Sequence, residues 1–254
     1  MDILQAIIIG IIEGFTEFLP ISSTGHMIVA SEFLGIEQSA VVKAYEVIIQ
    51  FSAILAVMLL YKEKINLREI ELWKKIMTAF IPLAVVGFLM KDWIKTIFTV
   101  ETVAYMFIIG GIIFIIVEQF HKDEKKESQE VDEVTWKQAL WIGFGQIFSL
   151  VPGTSRAGST IIAGMLSGVS RKASTEFSFL LAIPVMMAVS GYDLLKHYKD
   201  FMGADLMAFA IGFVVAFVVA YLTIKLFIVF LQRFTFVAFG IYRIIFGIIL
   251  LMIV

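Results

Sequence analysis

The segment EGFTEFLPISSTGH, residues 13–26, sets two glutamates, a proline, four hydroxyl side chains and a histidine within an otherwise apolar region. A second segment of similar character, PGTSRAGST, occupies residues 152–160. In a bilayer, lipid cannot satisfy the backbone groups that a proline break frees, and buried polar side chains are costly. Each segment is therefore predicted to be the break of a re-entrant helix–loop–helix hairpin, buried in protein or lining a wet cavity.

The surrounding composition is that of an integral membrane protein. The chain has 254 residues, of which 60% are hydrophobic and 17% charged, and its mean hydropathy is +0.94. Soluble domains are about 45–50% apolar and about 25% charged. The absence of cysteine excludes disulfides and thiol catalysis, and the lack of a basic tract argues against a nucleic-acid partner.

Long apolar runs predict helices, because the strands of a membrane barrel would alternate apolar and polar residues. Two apolar regions, 3–33 and 136–169, are interrupted near their middles by Pro and Gly. The uninterrupted runs predict six spans, at residues 44–61, 76–90, 100–117, 173–195, 206–224 and 236–254.

The two interrupted regions resemble each other. Residues 11–25 parallel residues 143–157, with Pro20 under Pro152. The chain is one membrane domain, 1–254, in which each half contains one hairpin and three spans. An odd number of spans turns the second half over relative to the first. The prediction is an all-α membrane protein with an inverted-topology repeat, about six transmembrane helices and two re-entrant hairpins.

The first repeat is predicted at residues 1–120 and the second at 134–254, joined by a hydrophilic linker at 121–133. Lysine and arginine are concentrated in the loop after the first span and in the linker, and more weakly in the loop between the fifth and sixth spans. The predicted topology puts these three on one side, which the positive-inside rule assigns to the cytoplasm.

Glu13 and Glu17 are four residues apart and share a helix face. Two carboxylates at bilayer depth require a cation, a proton or a water-filled cavity. Oxygen ligands favour a hard divalent cation, Mg²⁺ or Ca²⁺. The alternative is an exposed pair near the membrane interface.

Ser22, Ser23 and Thr24 lie near the expected start of the helix that returns after Pro20. Their hydroxyls are candidates to contact a phosphate or act as nucleophile, or to cap the helix. His26 is a candidate general acid, base or nucleophile, with a structural polar role as the alternative.

Arg156 is the strongest signal of the second segment, because a guanidinium matches the oxygens of a phosphate group. The small residues around it let backbone N–H groups approach an anion; the candidate phosphate-binding residues there are Gly153, Thr154, Ser155 and Thr160. The alternative is an arginine that reaches the membrane interface.

A divalent cation, a phosphate clamp, a hydroxyl and a histidine are the components of phosphoryl transfer or phosphate hydrolysis. The location of these groups in the membrane assigns the phosphate to a lipid. A transporter or flippase for a phosphorylated lipid is the alternative, because broken helices and inverted repeats are transporter features.

Both segments resemble signatures of the undecaprenyl-diphosphatase family, the bacitracin-resistance membrane phosphatases. The glutamate-rich signature matches residues 13–26, and the second signature, PGTSRSG, matches residues 152–158 with Ala157 in place of serine. The resemblance extends over the whole chain. It implies removal of one phosphate from undecaprenyl diphosphate, recycling of the lipid carrier for cell-wall synthesis, and resistance to bacitracin.

The resemblance also implies a divalent cation, a polyprenyl diphosphate partner within the lipid, and a site at the outer face of the bacterial cytoplasmic membrane. Glu13 and Glu17 would serve the metal or position water, Ser23 would be the nucleophile, and His26 would assist proton transfer. Arg156 would hold the diphosphate with Ser155 and Thr160. Attack by water, guided by Glu17 or His26, is the rival chemistry, and the sequence leaves a homodimer open.

Overall fold

The computed structural model describes residues 1–37, 39–121, 130–197 and 205–253. Within these ranges the chain forms helices and no strand, as predicted. The ten α-helices are α1 Ile3–Thr16, α2 Ser23–Phe33, α3 Ala40–Leu60, α4 Ile70–Thr96, α5 Val100–Phe120, α6 Trp136–Gln146, α7 Arg156–Leu166, α8 Arg171–His197, α9 Leu206–Leu231 and α10 Val237–Ile253.

Five helices are long and apolar enough to cross a membrane, namely α3, α4, α5, α8 and α9. The chain is therefore a multi-pass membrane protein. The predicted span at 236–254 corresponds to α10, which has 17 residues and is shorter than the about 20 that a span needs; Val254 lies outside the described residues. A sixth span consequently stays a prediction.

Local sequence explains where several helices begin. Asp2 accepts from the backbone of Gln5 in a capping box before α1, and Thr135 forms the same motif with Gln138 before α6. The Thr99 hydroxyl accepts from the Thr102 backbone before α5. Each cap satisfies N–H groups that the first helical turn leaves without a partner.

The largest contacts between helices are those of α5 with α10, α1 with α9, α3 with α9, α4 with α6, and α3 with α8. Small residues make the closest contacts, as expected where helix association in a membrane depends on packing. A Cβ added to Gly14 of α1 would lie 2.6 Å from the carbonyl oxygen of Ala216 on α9. The α1–α9 contact therefore requires glycine at this position.

Charged residues connect the predicted basic loops at one end of the bundle. Lys64, after α3, pairs with Asp132 at the end of the linker, and Lys172, at the start of α8, pairs with Glu130. These contacts bring the loop after the first span and the described part of the linker to one end. Residues 122–129 of the predicted linker lie outside the described residues.

An ion pair with a buried carboxylate connects the same end to the α9–α10 loop. Arg171 donates to both carboxylate oxygens of Glu118, at 2.8 Å for the shortest contact, and Glu118 also accepts from the Phe236 backbone at 3.2 Å. The end of α5, the start of α8 and the start of α10 are thus joined, and all three basic segments lie together.

Candidate active site

Each polar break contains a serine with a positive backbone φ angle, directly before the helix that follows. Among the described residues, Ser22 (φ 68°) and Ser155 (φ 76°) are the only non-glycine residues with positive φ. Each is the N-cap of a short helix, α2 and α7 respectively. Strain of about 1–3 kcal/mol at such positions persists only where surrounding contacts impose it, and it is concentrated at functional sites.

The two breaks meet at one cavity of about 250 Å³. Seven of the residues singled out in the sequence line it: Glu17, Ser22, Ser23, Thr24, Gly153, Ser155 and Arg156. Sequence reasoning missed two further polar residues in its wall, Gln50 of α3 and Ser149 of the turn before Pro152. Both could have been identified from the sequence, because a polar side chain within an apolar segment is costly unless it has a functional or structural role.

Glu17 is the point at which the two breaks touch. Ser23 donates its hydroxyl to Glu17 Oε2 at 2.7 Å, and Arg156 Nη2 donates to Glu17 Oε1 at 3.1 Å. Ser23 and Arg156 are the first residues of α2 and α7. The N-termini of both short helices therefore face one cavity, an arrangement that favours an anion.

The guanidinium of Arg156 is held from several directions. Its Nη1 donates to the Ser178 carbonyl at 2.9 Å, and its Cζ lies 5.9 Å from the ring centre of Phe18. Its Nε is buried and has no hydrogen-bond acceptor among the described residues. The side chain is thus fixed at the cavity wall with donor capacity remaining.

Glu13 lies one helical turn behind Glu17 and is fully buried. No donor among the described residues reaches either of its carboxylate oxygens. Glu17 and Glu46 act on it electrostatically, opposed by the positive charge of Arg156. A buried carboxylate among other carboxylates requires a proton or a cation to balance its charge.

Besides Glu13, three predicted site residues do not line this cavity. His26 lines a separate apolar groove of about 640 Å³ between α1, α2 and α10. Thr154 lines a third cavity, between α5, α6 and α7. Thr160 is fully buried and hydrogen-bonds with Ser178 Oγ at 2.7 Å, so it supports the residue whose carbonyl receives Arg156.

Arg243 of α10 joins both breaks and was not singled out from the sequence. It is fully buried, and its guanidinium donates to the carbonyls of Pro20, Met106 and Gly153 at 2.9–3.0 Å. Its Cζ lies 5.0 Å from the Phe107 ring centre. The sequence could have indicated this residue, because a lone arginine within an apolar helix is costly unless buried groups pair with it.

The capping serines refine the alignment of the halves. Glu13 precedes Ser22 by nine residues, and Gln146 precedes Ser155 by nine. An alignment of the two halves that matches Ser22 with Ser155 is therefore shifted by one residue from the alignment that matches Pro20 with Pro152. Glu13 and Gln146 are both fully buried, and within the described ranges neither side chain has a hydrogen-bond partner. The first half therefore carries an acid where the second carries a neutral amide.

Within the described residues, no group of three or more His, Asp or Glu side chains is arranged to hold a metal ion. A cation held by Glu13 and Glu17 stays a prediction.

Comparisons with known proteins agree on one family. The family model described as Bacitracin resistance protein BacA matches residues 6–249. The chain is 70% identical over 253 residues to the Undecaprenyl-diphosphatase of Sulfurovum sp. (strain NBC37-1), with 100% of each chain covered. It is 63% identical to the Undecaprenyl-diphosphatase of Sulfurimonas denitrificans, with 99% of each chain covered, and 59% identical to Undecaprenyl-diphosphatase 2 of Pseudoalteromonas translucida, with 99% and 98% covered.

Proposed function

The chain belongs to the family of the bacitracin resistance protein BacA, and on that premise we propose that it hydrolyses undecaprenyl diphosphate to undecaprenyl phosphate and inorganic phosphate. This reaction would recycle the lipid carrier for cell-wall polymers and confer resistance to bacitracin. Relatives that match over their whole length carry the name of this activity. The protein's many apolar helices suit a substrate whose tail stays in lipid.

One observation carries the proposal beyond the family name. The carboxylate of Glu17 accepts a hydrogen bond from Ser23 of the first break and another from Arg156 of the second. A carboxylate 2.7 Å from a serine hydroxyl is in position to accept its proton. A guanidinium in the same cavity offers the charge that a diphosphate needs. A transporter would need the guanidinium to bind the anion but would not need a carboxylate placed to take the serine proton. The pair of Glu17 and Ser23 therefore favours an enzyme over the transporter alternative.

The proposed mechanism begins when the terminal phosphate enters between the N-termini of α2 and α7. Arg156 and the backbone N–H groups of these helices bind its oxygens. Ser23 Oγ attacks the terminal phosphorus, and its proton passes to Glu17. The bridging P–O bond breaks, undecaprenyl phosphate leaves, and water then hydrolyses the phosphoserine to inorganic phosphate. Direct attack by water, with Glu17 as base, is the rival chemistry.

Glu13 and Glu17 are the residues that would hold a divalent cation, Mg²⁺ or Ca²⁺. The uncompensated buried oxygens of Glu13 fit such an ion, and the remaining ligands would come from phosphate and water. A bound cation would supply charge neutralisation of the phosphate oxygens.

We further propose that the two halves form an inverted repeat, each with one re-entrant hairpin. The packing supports this, because exchanging α1–α5 with α6–α10 in order turns the α1–α9 pair into α6–α4 and leaves the α3–α8 and α5–α10 pairs unchanged. All four are observed contacts. The matching capping serines support the same relation.

The cavity is proposed to open at the outer face of the cytoplasmic membrane. Its wall includes Phe98, in the loop between α4 and α5, and Val185 of α8. Helix α8 begins among the basic loops at Arg171, and Val185 follows 14 residues later, about 21 Å farther along the helix. If the basic loops are cytoplasmic, the cavity lies toward the opposite face.

Phosphate release from a polyprenyl diphosphate by the purified protein, with and without a chelator, tests the function. Chelator-sensitive release is expected; no release, with substrate counterflow in liposomes, would instead favour transport.

Ser23→Ala tests the nucleophile. Ser31→Ala is the control, because Ser31 is a buried serine of the same helix whose hydroxyl has no hydrogen-bond partner in the part of the chain that the structure describes. We expect loss of activity in Ser23→Ala alone, and phosphate trapped on Ser23 in the wild type. Full activity in Ser23→Ala would exclude the covalent route.

A further inference from the structure

Helix α2 borders two different cavities. Its first residues, including Ser23, line the polar cavity, whereas His26 and Val29 line the apolar groove with α1 and α10. The histidine is therefore close in sequence to the reacting serine but faces different surroundings.

Both ring nitrogens of His26 are engaged. Nδ1 lies 2.8 Å from the carbonyl oxygen of Ser22, and Nε2 lies 2.6 Å from the hydroxyl of Tyr242 on α10. A carbonyl oxygen can only accept, so Nδ1 carries a proton. In the neutral ring Nε2 then accepts the hydrogen bond from Tyr242. Neither nitrogen remains for the proton of Ser23, whose hydroxyl is already bonded to Glu17.

The faces of the imidazole are also held. Phe246 stacks on it at 4.5 Å between ring centroids with a 19° interplanar angle, and the ring of Phe107 lies at 5.6 Å. The ring of Tyr242 is nearly parallel, at 5.7 Å. A swing of His26 toward Ser23 would break two hydrogen bonds and this aromatic packing.

The two strained serines differ in their side-chain caps. Ser155 accepts a hydrogen bond from the Gly158 backbone through its own side chain, at 3.1 Å. The Ser22 side chain makes no such capping bond to any described residue. In both halves the side chain four residues later donates to the carbonyl of this serine: His26 Nδ1 to Ser22 at 2.8 Å, and Ser159 Oγ to Ser155 at 3.0 Å. Because Ser22 lacks the side-chain cap that Ser155 has, the start of α2 depends more on this contact with His26.

We infer that Tyr242 is a positioning residue of this site: through His26 it holds the carbonyl of Ser22, and so keeps Ser23 directed at Glu17. In this arrangement His26 is a hydrogen-bond bridge between α10 and the break, and Glu17 takes the proton of Ser23. The inference rests on the proposed phosphatase activity.

The first test is Tyr242→Phe, assayed by phosphate release from a polyprenyl diphosphate. We expect kcat to fall about tenfold or more because the serine loses its orientation, while KM changes little because Arg156 is untouched. Tyr105→Phe is the matched control, since Tyr105 is an exposed tyrosine of α5 that is not among the described residues lining the groove. An unchanged kcat in Tyr242→Phe would overturn the inference.

Two substitutions of His26 distinguish a hydrogen-bond bridge between Tyr242 and Ser22 from a role of the imidazole in proton transfer. The side-chain amide nitrogen of asparagine takes the place of Nδ1, so His26→Asn keeps a donor for Ser22, whereas His26→Gln places its amide near Nε2. We expect His26→Asn to retain at least tenfold more activity than His26→Gln. Equal inactivity of the two would mean that the imidazole itself transfers a proton, and the inference would fail. If the wild-type protein released no phosphate from the polyprenyl diphosphate, the proposed function itself would be refuted instead.

Discussion

Arg243→Lys should separate the two halves of the active site. The guanidinium of Arg243 reaches the carbonyl of Pro20 through Nη1, and the carbonyls of Met106 and Gly153 through Nη2. The single nitrogen of lysine cannot occupy both positions. Arginine and lysine are therefore not interchangeable here, although the charge is conserved.

The magnitude follows from the contacts. A hydrogen bond to a charged group contributes about 1.5–3 kcal/mol, so the loss of two of the three should lower the free energy of unfolding by about 3–6 kcal/mol. For a protein of this size that corresponds to a fall in Tm on the order of 10 °C. Because Pro20 and Gly153 belong to opposite breaks, kcat should also fall by about 100-fold.

The assay is thermal unfolding of the purified protein together with phosphate release from a polyprenyl diphosphate. Arg233→Lys is the control, because Arg233 is exposed in the α9–α10 loop, and it should leave both measurements unchanged. Wild-type Tm and kcat in Arg243→Lys would show that the carbonyl contacts do not hold the breaks together, and would refute the reasoning.

Three further predictions concern the site and its packing. Arg156→Ala and Glu17→Ala should each lower kcat/KM by at least about 100-fold, and an active Arg156→Ala enzyme would contradict a site divided between both breaks. Glu118→Gln should lower the free energy of unfolding by about 1.5–3 kcal/mol, because it removes the charge that accepts hydrogen bonds from the partly buried Arg171; chemical denaturation measures this, and an unchanged value would exclude a stabilising pair. Gly14→Ala should lower Tm, since its Cβ would meet a backbone oxygen at 2.6 Å, whereas Gly191→Ala, with open space around it, should raise Tm slightly.

Much of the site was predictable because the polar breaks are local features. Glu17, Ser23 and Arg156 stand out as polar groups within apolar sequence, and the likeness of the halves indicates that the breaks belong together. The structure brings these three residues into one hydrogen-bonded group. The direct contact of Ser23 with Glu17 was not predictable, since helical spacing does not determine side-chain directions across a proline turn.

The sequence by itself determined that this is a helical membrane protein with two polar breaks, because composition and hydrophobic run length are local and cumulative properties. Only the tertiary structure decided that His26 faces the groove at Tyr242 and that Arg243 joins Pro20 to Gly153. The partners in these contacts are 216, 223 and 90 residues apart. No local pattern specifies such pairs, because they arise only when α10 packs against the breaks and its buried polar groups must find partners there.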